Sequence, residues 1–167
     1  MLIIQSIVNI SEVNFYIMSS IIKLRGKGVS RIINSKVMLS PLAGVTDKIF
    51  RKLVRKWAPD SLLFTEMINA TSLKHGYGTQ KIKQLELEKG PVGVQIFDNR
   101  PFAVSEAAKL AEDSGAFLID INMGCPVKKI SRKGGGSALI NDRVLAMELV
   151  KRVSNAVKVP VTVKTRL

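Results

Sequence analysis

The residue with the clearest potential for chemistry is Cys125, the single cysteine of the chain. It lies in the segment 120–126, Asp-Ile-Asn-Met-Gly-Cys-Pro, where an apolar run over 116–121 gives way to a Gly/Pro loop. A reactive group that follows the carboxyl end of a buried strand is typical of α/β active sites. A free cysteine is also commonly a small buried hydrophobic residue. Taken alone, the motif leaves catalysis and burial open as alternatives.

A dense group of basic side chains follows the cysteine. Four of them fall within six residues of sequence: Lys128, Lys129, Arg132 and Lys133. The next acidic residue is Asp142, and the glycines at 134–136 allow close approach to the backbone. A run of charge by itself predicts only a solvated surface. Its position beside a candidate proton donor favours contact with the phosphates of a nucleic acid.

The elements that must position these residues are short apolar runs alternating with amphipathic segments. The runs over 37–40, 62–66, 91–97, 117–121 and 159–164 predict five strands. The intervening helices are expected over 47–57, 101–114 and 142–156, with Asp47 capping the first and Trp57 in the core. Strands this apolar are buried on both faces, which predicts a parallel sheet flanked by helices.

Each predicted strand has a polar or loop-forming residue at or just past its carboxyl end. In chain order these residues are Pro41, Glu66, Gln95, Asn122 with Cys125, and Lys164 with Arg166. In a (β/α)8 TIM barrel such ends converge on one face, and that face carries the chemistry. A doubly wound open sheet also binds ligands at strand ends, so the pattern favours an α/β barrel without excluding the open sheet.

The charge balance points to a polyanionic partner. The chain has 26 Lys+Arg against 13 Asp+Glu, a net charge of +13, and nucleic acid is the leading candidate. One cysteine excludes an internal disulfide framework and any multi-cysteine metal site, so we predict no metal centre and a cytoplasmic location.

The first thirty residues differ from the rest of the chain. Residues 1–22 carry one charged residue, Glu12, and lack the basic start and cleavage site of a signal peptide. Polar residues interrupt any apolar run long enough to span a membrane. We interpret 1–30 as an atypical, poorly ordered extension and expect no stable membrane partner.

Six motifs, in this order, resemble the tRNA-dihydrouridine synthases, most closely the bacterial B-type branch. They are 39–47 with Phe50-Arg51, Thr65-Glu66-Met67, Val94-Gln95-Ile96, 120–126 with Lys128-Lys129, 136–139, and 160–166. The likeness covers about residues 32–167, and the cysteine motif is its most specific part.

The resemblance implies a flavin oxidoreductase that uses FMN and NADPH. It implies that Pro41, Leu42 and Ala43 line the flavin, largely through their backbone. Gln95 is expected to hydrogen-bond the isoalloxazine ring. Lys164 is expected beside the N1–C2 carbonyl edge, where a fixed ammonium stabilises the charge of the reduced ring.

The implied reaction is reduction of the 5,6 double bond of particular uridines in tRNA. Asn122 corresponds to the residue that contacts the uracil, and Cys125 to the proton donor. A thiol with an ordinary pKa of about 8.5 is protonated at neutral pH and suits an acid better than a nucleophile. The target base must be flipped out of the RNA. The four basic residues and Arg166 are expected to face the tRNA, although Arg166 could instead face a flavin phosphate.

A complete barrel of this kind takes about 250 residues, and the family adds a helical RNA-binding domain. We therefore expect 31–167 to be the N-terminal portion of a flavin-binding TIM barrel, truncated after about the fifth strand, without the C-terminal barrel half or the helical domain. Its exposed edge predicts self-association or pairing with a missing half. Two other functions stay open: a flavin oxidoreductase acting on a free pyrimidine or other small molecule, and a non-catalytic RNA-binding remnant.

Overall fold

The computed structural model describes residues 3–5 and 22–166 of the chain. Among these residues the strands are β1 (Ile3–Gln5), β2 (Ile22–Arg25), β3 (Ser30–Ile33), β4 (Leu63–Phe64), β5 (Ile68–Asn69), β6 (Val92–Phe97), β7 (Leu118–Met123) and β8 (Val161–Thr165). The α-helices are α1 (Lys48–Trp57), α2 (Ala70–Lys74), α3 (Thr79–Lys83), α4 (Pro101–Asp113), α5 (Lys128–Ser131) and α6 (Arg143–Ala156). Short 3-10 helices span Gln84–Leu87 and Gly136–Ile140.

The predicted parallel sheet is present. Its strand order is β1-β8-β7-β6-β4, with β5 also pairing with β6, and every pair except β1 with β8 is parallel. The outer edge of β8 pairs antiparallel with β1, in the register Ile3 to Lys164. The predicted strand over 37–40 is reduced to one parallel bridge between Met38 and Leu62. This end of the sheet is therefore held by far fewer ladder bonds than the β6-β7-β8 centre.

The three predicted helices, α1, α4 and α6, begin and end within one residue of their predicted bounds, whereas the short helices α2, α3 and α5 were not predicted. The side chains of Asp47 and Asp142 cap α1 and α6 by accepting hydrogen bonds from backbone N–H groups three residues on. Helix α4 begins at Pro101 and is followed by Gly115, whose φ of 90° lies in the left-handed region that favours glycine. Helices α4 and α6 pack on each other and cover one face of the sheet.

Strand alternation separates the two faces of the sheet. Successive side chains point to opposite sides, so alternate residues of β6, β7 and β8 share a face. One set is apolar and packs in the main core under α4 and α6: Val92, Val94, Ile96, Ile119, Ile121, Met123, Val161 and Val163. The other set, on the opposite face, includes Gln95, Asp120, Asn122, Thr162 and Lys164. The polar residues are thus collected on the face that the helices leave uncovered.

A β-hairpin closes the amino-terminal end of this polar face. Strands β2 and β3 bury Leu24 and Ile33 in a second apolar cluster with residues at the start of the sheet strands: Leu62, Phe64 and Leu118. The predicted boundary at residue 30 falls inside this hairpin, so 22–30 belong with the folded unit. The remainder of the predicted extension, apart from 3–5, lies outside the described residues.

The prediction that Trp57 lies in the core is wrong. Trp57 is 85% exposed, and Ile49 and Leu53 on the same side of α1 are 79% and 52% exposed. Helical spacing shows only that apolar residues share a face, and here that face of α1 has no neighbouring element among the described residues. Helix α1 is anchored instead from its other side, by Arg51.

Candidate active site

A hydrogen-bonded row of three side chains crosses the polar face of the sheet. Gln95, Asp120 and Thr162 are aligned in register on the three central strands. Gln95 donates from Nε2 to Asp120 Oδ2 at 2.6 Å, and Thr162 donates from Oγ1 to Asp120 Oδ1 at 2.6 Å. All three are buried, so both carboxylate oxygens are satisfied without solvent.

Burial is the main influence on the acidity of Asp120. It raises the pKa of this carboxyl from 3.8 to about 6, because a charge in a low-dielectric interior is poorly solvated. The hydrogen bonds from Gln95 and Thr162 and the positive charge of Lys164 act in the opposite direction. Asp120 is therefore a buried anion at neutral pH, held by donors and by a nearby ammonium.

Asn122 connects this row to the cysteine. Its Nδ2 donates to Gln95 Oε1 at 2.9 Å, and it lies 3.8 Å from the sulfur of Met67. Its Oδ1 accepts the backbone N–H groups of Gly124 and Cys125 at 3.1 and 2.9 Å. One side chain thus fixes both the end of β7 and the start of the loop that carries the thiol.

The segment Gly124–Val127, here called the cysteine loop, is also fixed from two other directions. Arg166 donates from Nε to the carbonyl of Gly124 at 2.8 Å. The backbone N–H of Ser137 donates to the carbonyl of Cys125 at 2.9 Å. Gly136 packs so closely that a Cβ there would lie 2.6 Å from the Cys125 carbonyl oxygen. Cys125 itself is half-buried at the surface and does not belong to either apolar core cluster, which disfavours the burial alternative.

The four basic residues follow directly, on and just after α5. All four are exposed: Lys128, Lys129, Arg132 and Lys133. Asn99 donates from Nδ2 to the carbonyl of Lys133 at 2.6 Å, so the end of β6 anchors the loop. The basic cluster is a solvated surface that adjoins the cysteine loop.

The segment 41–47, here called the proline loop, follows the first bridge of the sheet. Leu42 and Ala43 are exposed, and Pro41 is half-buried. Glu66 holds the loop by accepting the Gly44 N–H at its Oε1, 2.6 Å away. Its Oε2 is 2.7 Å from Lys81 Nζ, and this hydrogen bond is the largest cause of a lowered Glu66 pKa. Glu66 therefore positions the proline loop.

A buried ion pair fixes the far end of the proline loop. Arg51 is 3% exposed and donates from Nη1 to the carbonyl of Thr46 at 2.6 Å. Its Nε donates to Glu88 Oε2 at 2.9 Å, and its Nη2 forms a second bond with the same carboxylate. The guanidinium thereby ties α1 and the proline loop to the segment before β6.

The predicted site residues fall into two groups. The structure joins Gln95, Asn122 and Cys125 by hydrogen bonds, and Arg166 joins them through Gly124. Lys164 is half-buried and lies opposite Asn122 in the pairing of β7 with β8. Pro41, Leu42 and Ala43 lie on the separate proline loop. Gln95 is only 1% exposed, and its expected contact with a flavin stays a prediction.

Sequence reasoning missed the residues that hold the site together. Asp120, Thr162, Arg51 and Glu88 were not among the predicted site residues. A signal was present for two of them, since Asp120 lies two residues before Asn122 and Thr162 two residues before Lys164. Period-two spacing in a strand places such pairs on one face. Glu88 gave no signal, because it lies 37 residues from its partner.

The described residues, 3–5 and 22–166, contain no group of three or more His, Cys, Asp or Glu side chains arranged to hold a metal ion. None of their helices is both long and apolar enough to cross a membrane.

The family model for dihydrouridine synthase (Dus) matches residues 38–167. A "probable tRNA-dihydrouridine synthase 1" of Synechocystis sp. is 49% identical over 138 residues, which cover 83% of this chain and 39% of that protein. The "tRNA-dihydrouridine synthase B" of Vibrio parahaemolyticus is 39% identical over 137 residues, covering 80% of this chain and 42% of that protein. The chain thus spans about two fifths of the length of these curated relatives.

Proposed function

Because the chain belongs to the dihydrouridine synthase family, we propose that it contributes the N-terminal barrel portion of an enzyme that reduces uridines of tRNA to 5,6-dihydrouridine. The observation that carries the proposal is the cysteine loop. Asn122 holds the Cys125 backbone at 2.9 Å, and an exposed cluster of four basic residues follows immediately. This arrangement supports a proton donor placed beside a surface that attracts RNA.

The chain's own residues would act on the uracil as follows. Cys125 would donate its thiol proton to C5 of the uracil. Asn122 offers an N–H to the base, since its carbonyl oxygen already accepts two backbone bonds. The fixed loop keeps the thiol at one position, and general acid catalysis of this kind contributes about 10²–10⁴-fold to the rate.

The polar face has donors suited to a flavin. Toward the carboxyl ends of the strands it presents the Lys164 ammonium and the second N–H of the buried Gln95 amide, whose first N–H binds Asp120. Donors and a positive charge suit a ring that gains negative charge on reduction. When bound, FMN reduced by NADPH supplies the hydride for uracil C6. Lys164, Gln95 and the backbone of Pro41, Leu42 and Ala43 would hold it.

The basic cluster supports tRNA as the substrate. Lys128, Lys129, Arg132 and Lys133 have no acidic partner within ion-pair distance among the described residues. Phosphate contacts position a nucleic acid without specifying its sequence. We therefore propose that this cluster positions the RNA strand that carries the flipped uridine. We also propose that the reaction takes place in the cytoplasm. Arg166, bonded to the carbonyl of Gly124, supports the cysteine loop.

Dihydrouridine formation in a completed enzyme tests this proposal. The chain is fused to the C-terminal part of the Synechocystis relative, and tRNA from a strain without dihydrouridine synthases is the substrate. Cys125→Ala is expected to lower the rate by about 10²–10⁴-fold while flavin absorbance is retained. Lys109→Ala, an exposed change on α4, is the matched control and should leave the rate unchanged.

Other outcomes separate the alternatives. Equal rates for Cys125→Ala and the unchanged fusion would remove the proposed role of the thiol. Efficient reduction of free uracil or orotate without RNA would favour the small-molecule enzyme. RNA binding with neither flavin nor reduction would favour the non-catalytic remnant.

A further inference from the structure

The hydrogen bonds from Asp120 to Cys125 form a chain with a fixed direction. An ionised carboxylate can only accept hydrogen bonds, and a backbone N–H can only donate. Asp120 stands at one end of the chain, and the N–H groups of Gly124 and Cys125 stand at the other. Two amide side chains, Gln95 and Asn122, lie between these ends.

Only one orientation of the two amides satisfies both ends. Gln95 must turn Nε2 toward Asp120, which leaves Oε1 facing Asn122. Asn122 must then turn Nδ2 toward Gln95 and Oδ1 toward the cysteine loop. Reversing either amide would place two donors or two acceptors against each other in a buried site, which is costly.

We propose that Asp120 is a positioning residue, whose carboxylate sets the direction of the Gln95–Asn122 amide pair and through it the conformation of the cysteine loop. Asp120 lies two amides away from Cys125 and acts on it only through them. The catalytic meaning of this arrangement rests on the proposed uridine reduction, but the arrangement itself can be measured without substrate or cofactor.

The same direction fixes what Asn122 offers to a ligand. Both acceptor positions of its Oδ1 are taken by Gly124 and Cys125. One Nδ2 hydrogen is bound to Gln95, and the other has only the weakly accepting sulfur of Met67 nearby. Asn122 is therefore a donor toward any incoming base and selects a ring carbonyl as its partner.

The hydrogen bonds that lead from Asp120 through Gln95 and Asn122 to the N–H groups of Gly124 and Cys125 are here called the relay. Amide hydrogen exchange at Gly124 and Cys125, measured by NMR on the 167-residue chain and its variants, tests the relay. Asp120→Asn keeps an acceptor oxygen for Gln95 and should change the exchange rate at Cys125 by no more than about twofold. Asp120→Leu removes that acceptor and should raise the rate about tenfold, which is the usual weight of one hydrogen bond. Exchange at the Leu145 N–H, bonded to Asp142 far along the chain, is the internal reference.

Reversal of the relay is the sharper test. Asn122→Asp places an acceptor-only group against Gln95 Oε1 and should raise exchange at Cys125 about tenfold. Combining it with Asp120→Asn lets the new amide at position 120 donate to Gln95 Oε1, while Gln95 Nε2 donates to the carboxylate at position 122. Every group is satisfied again, so exchange should return to within about threefold of the unchanged chain.

Asp98→Asn alters another buried carboxylate at a strand end, bonded to Thr71 and Arg100, and should leave Cys125 exchange unchanged. The proposal is overturned if the double variant exchanges as fast as Asn122→Asp alone or fails to fold. It is also overturned if Asp120→Leu folds and leaves Cys125 exchange unchanged.

Activity separates this proposal from the proposed function. In the fused enzyme the double variant should keep an ordered cysteine loop yet lose uridine reduction, because position 122 no longer has an N–H to donate. If the unchanged fusion reduces no uridine while the exchange pattern holds, the proposed function fails and the relay stands.

Discussion

The cysteine loop follows strand β7 and the proline loop follows the single bridge at Met38, and different forces hold the two loops. The cysteine loop is fixed by Asn122, Arg166 and Ser137, and the relay behind it ends at a buried carboxylate. The proline loop is fixed by Glu66 and Arg51, each in an ion pair, and Leu42 and Ala43 on it are exposed.

The difference follows from where each loop lies in the sheet. The cysteine loop follows β7, which has a parallel neighbour on both sides, so its anchors are buried and need exact partners. The proline loop follows a segment with a single bridge. Charged side chains, Arg51 of α1 and Glu66 just after β4, bind its backbone where strand-to-strand hydrogen bonds are few. Buried neutral partners hold the first loop, whereas ion-paired side chains hold the second in addition to the hydrogen bonds between Leu42 and Thr46.

The largest expected effect concerns the charged anchor of the proline loop. Arg51→Met leaves Glu88 without its partner and the Thr46 carbonyl without a donor. Breaking a buried ion pair in this way typically costs about 3–5 kcal/mol. Urea unfolding of the purified chain measures the loss, and Lys52→Ala at the neighbouring exposed position is the control. A loss for Arg51→Met no larger than that for Lys52→Ala would mean that charge does not hold this loop.

Asp120, behind the cysteine loop, and Glu66, at the proline loop, should make the free energy of unfolding depend on pH in opposite directions. The pKa of Asp120 is raised, so its contribution is most favourable below pH 3.8 and is lost as pH rises through about 6. The change in the free energy of unfolding over this range is about 3 kcal/mol, because the pKa rises from 3.8 to about 6 and each pKa unit is worth about 1.36 kcal/mol. The pKa of Glu66 is lowered, so its contribution is present above 4.5 and is lost as pH falls below that value.

Unfolding free energies measured from pH 3 to 8 check this contrast. Subtracting the Asp120→Asn curve from that of the unchanged chain should leave a difference that falls between pH 4 and 6. The corresponding Glu66→Gln difference should fall toward the acid end instead. Two differences with the same slope would refute the distinction between the loops.

The smallest effect compares two glycines with positive φ. A Cβ on Gly136 (φ 58°) would lie 2.6 Å from the Cys125 carbonyl oxygen, whereas a Cβ on Gly44 (φ 77°), in the proline loop, would meet no atom within 4 Å. Gly136→Ala should cost about 2–3 kcal/mol from strain plus overpacking. Gly44→Ala should cost only about 1 kcal/mol, from backbone strain alone. Chemical unfolding of both variants provides the comparison, and equal losses would show that the cysteine loop is not the more tightly packed of the two.

Local sequence patterns predicted much of the fold. Apolar runs located the strands β6, β7 and β8, and Asp47, Asp142, Pro101 and Gly115 marked helix ends correctly, because caps and turns depend on neighbouring residues. Trp57 was misplaced because helical spacing does not say which element, if any, lies against the apolar face. A strand was predicted over 37–40, but only the bridge at Met38 forms. The number of paired residues depends on the partner strand, which an apolar run does not specify.

The sequence by itself determined which residue types stand at the strand ends, and with the family motifs it identified Cys125 and its basic neighbours as the candidate site. Only the tertiary structure decided what holds that site. Asp120, Gln95 and Thr162 belong to strands separated by tens of residues, and only parallel pairing in one register brings them into contact. The direction of the Gln95–Asn122 amides has the same origin, because it depends on which donors and acceptors meet at the two ends of a buried chain of hydrogen bonds.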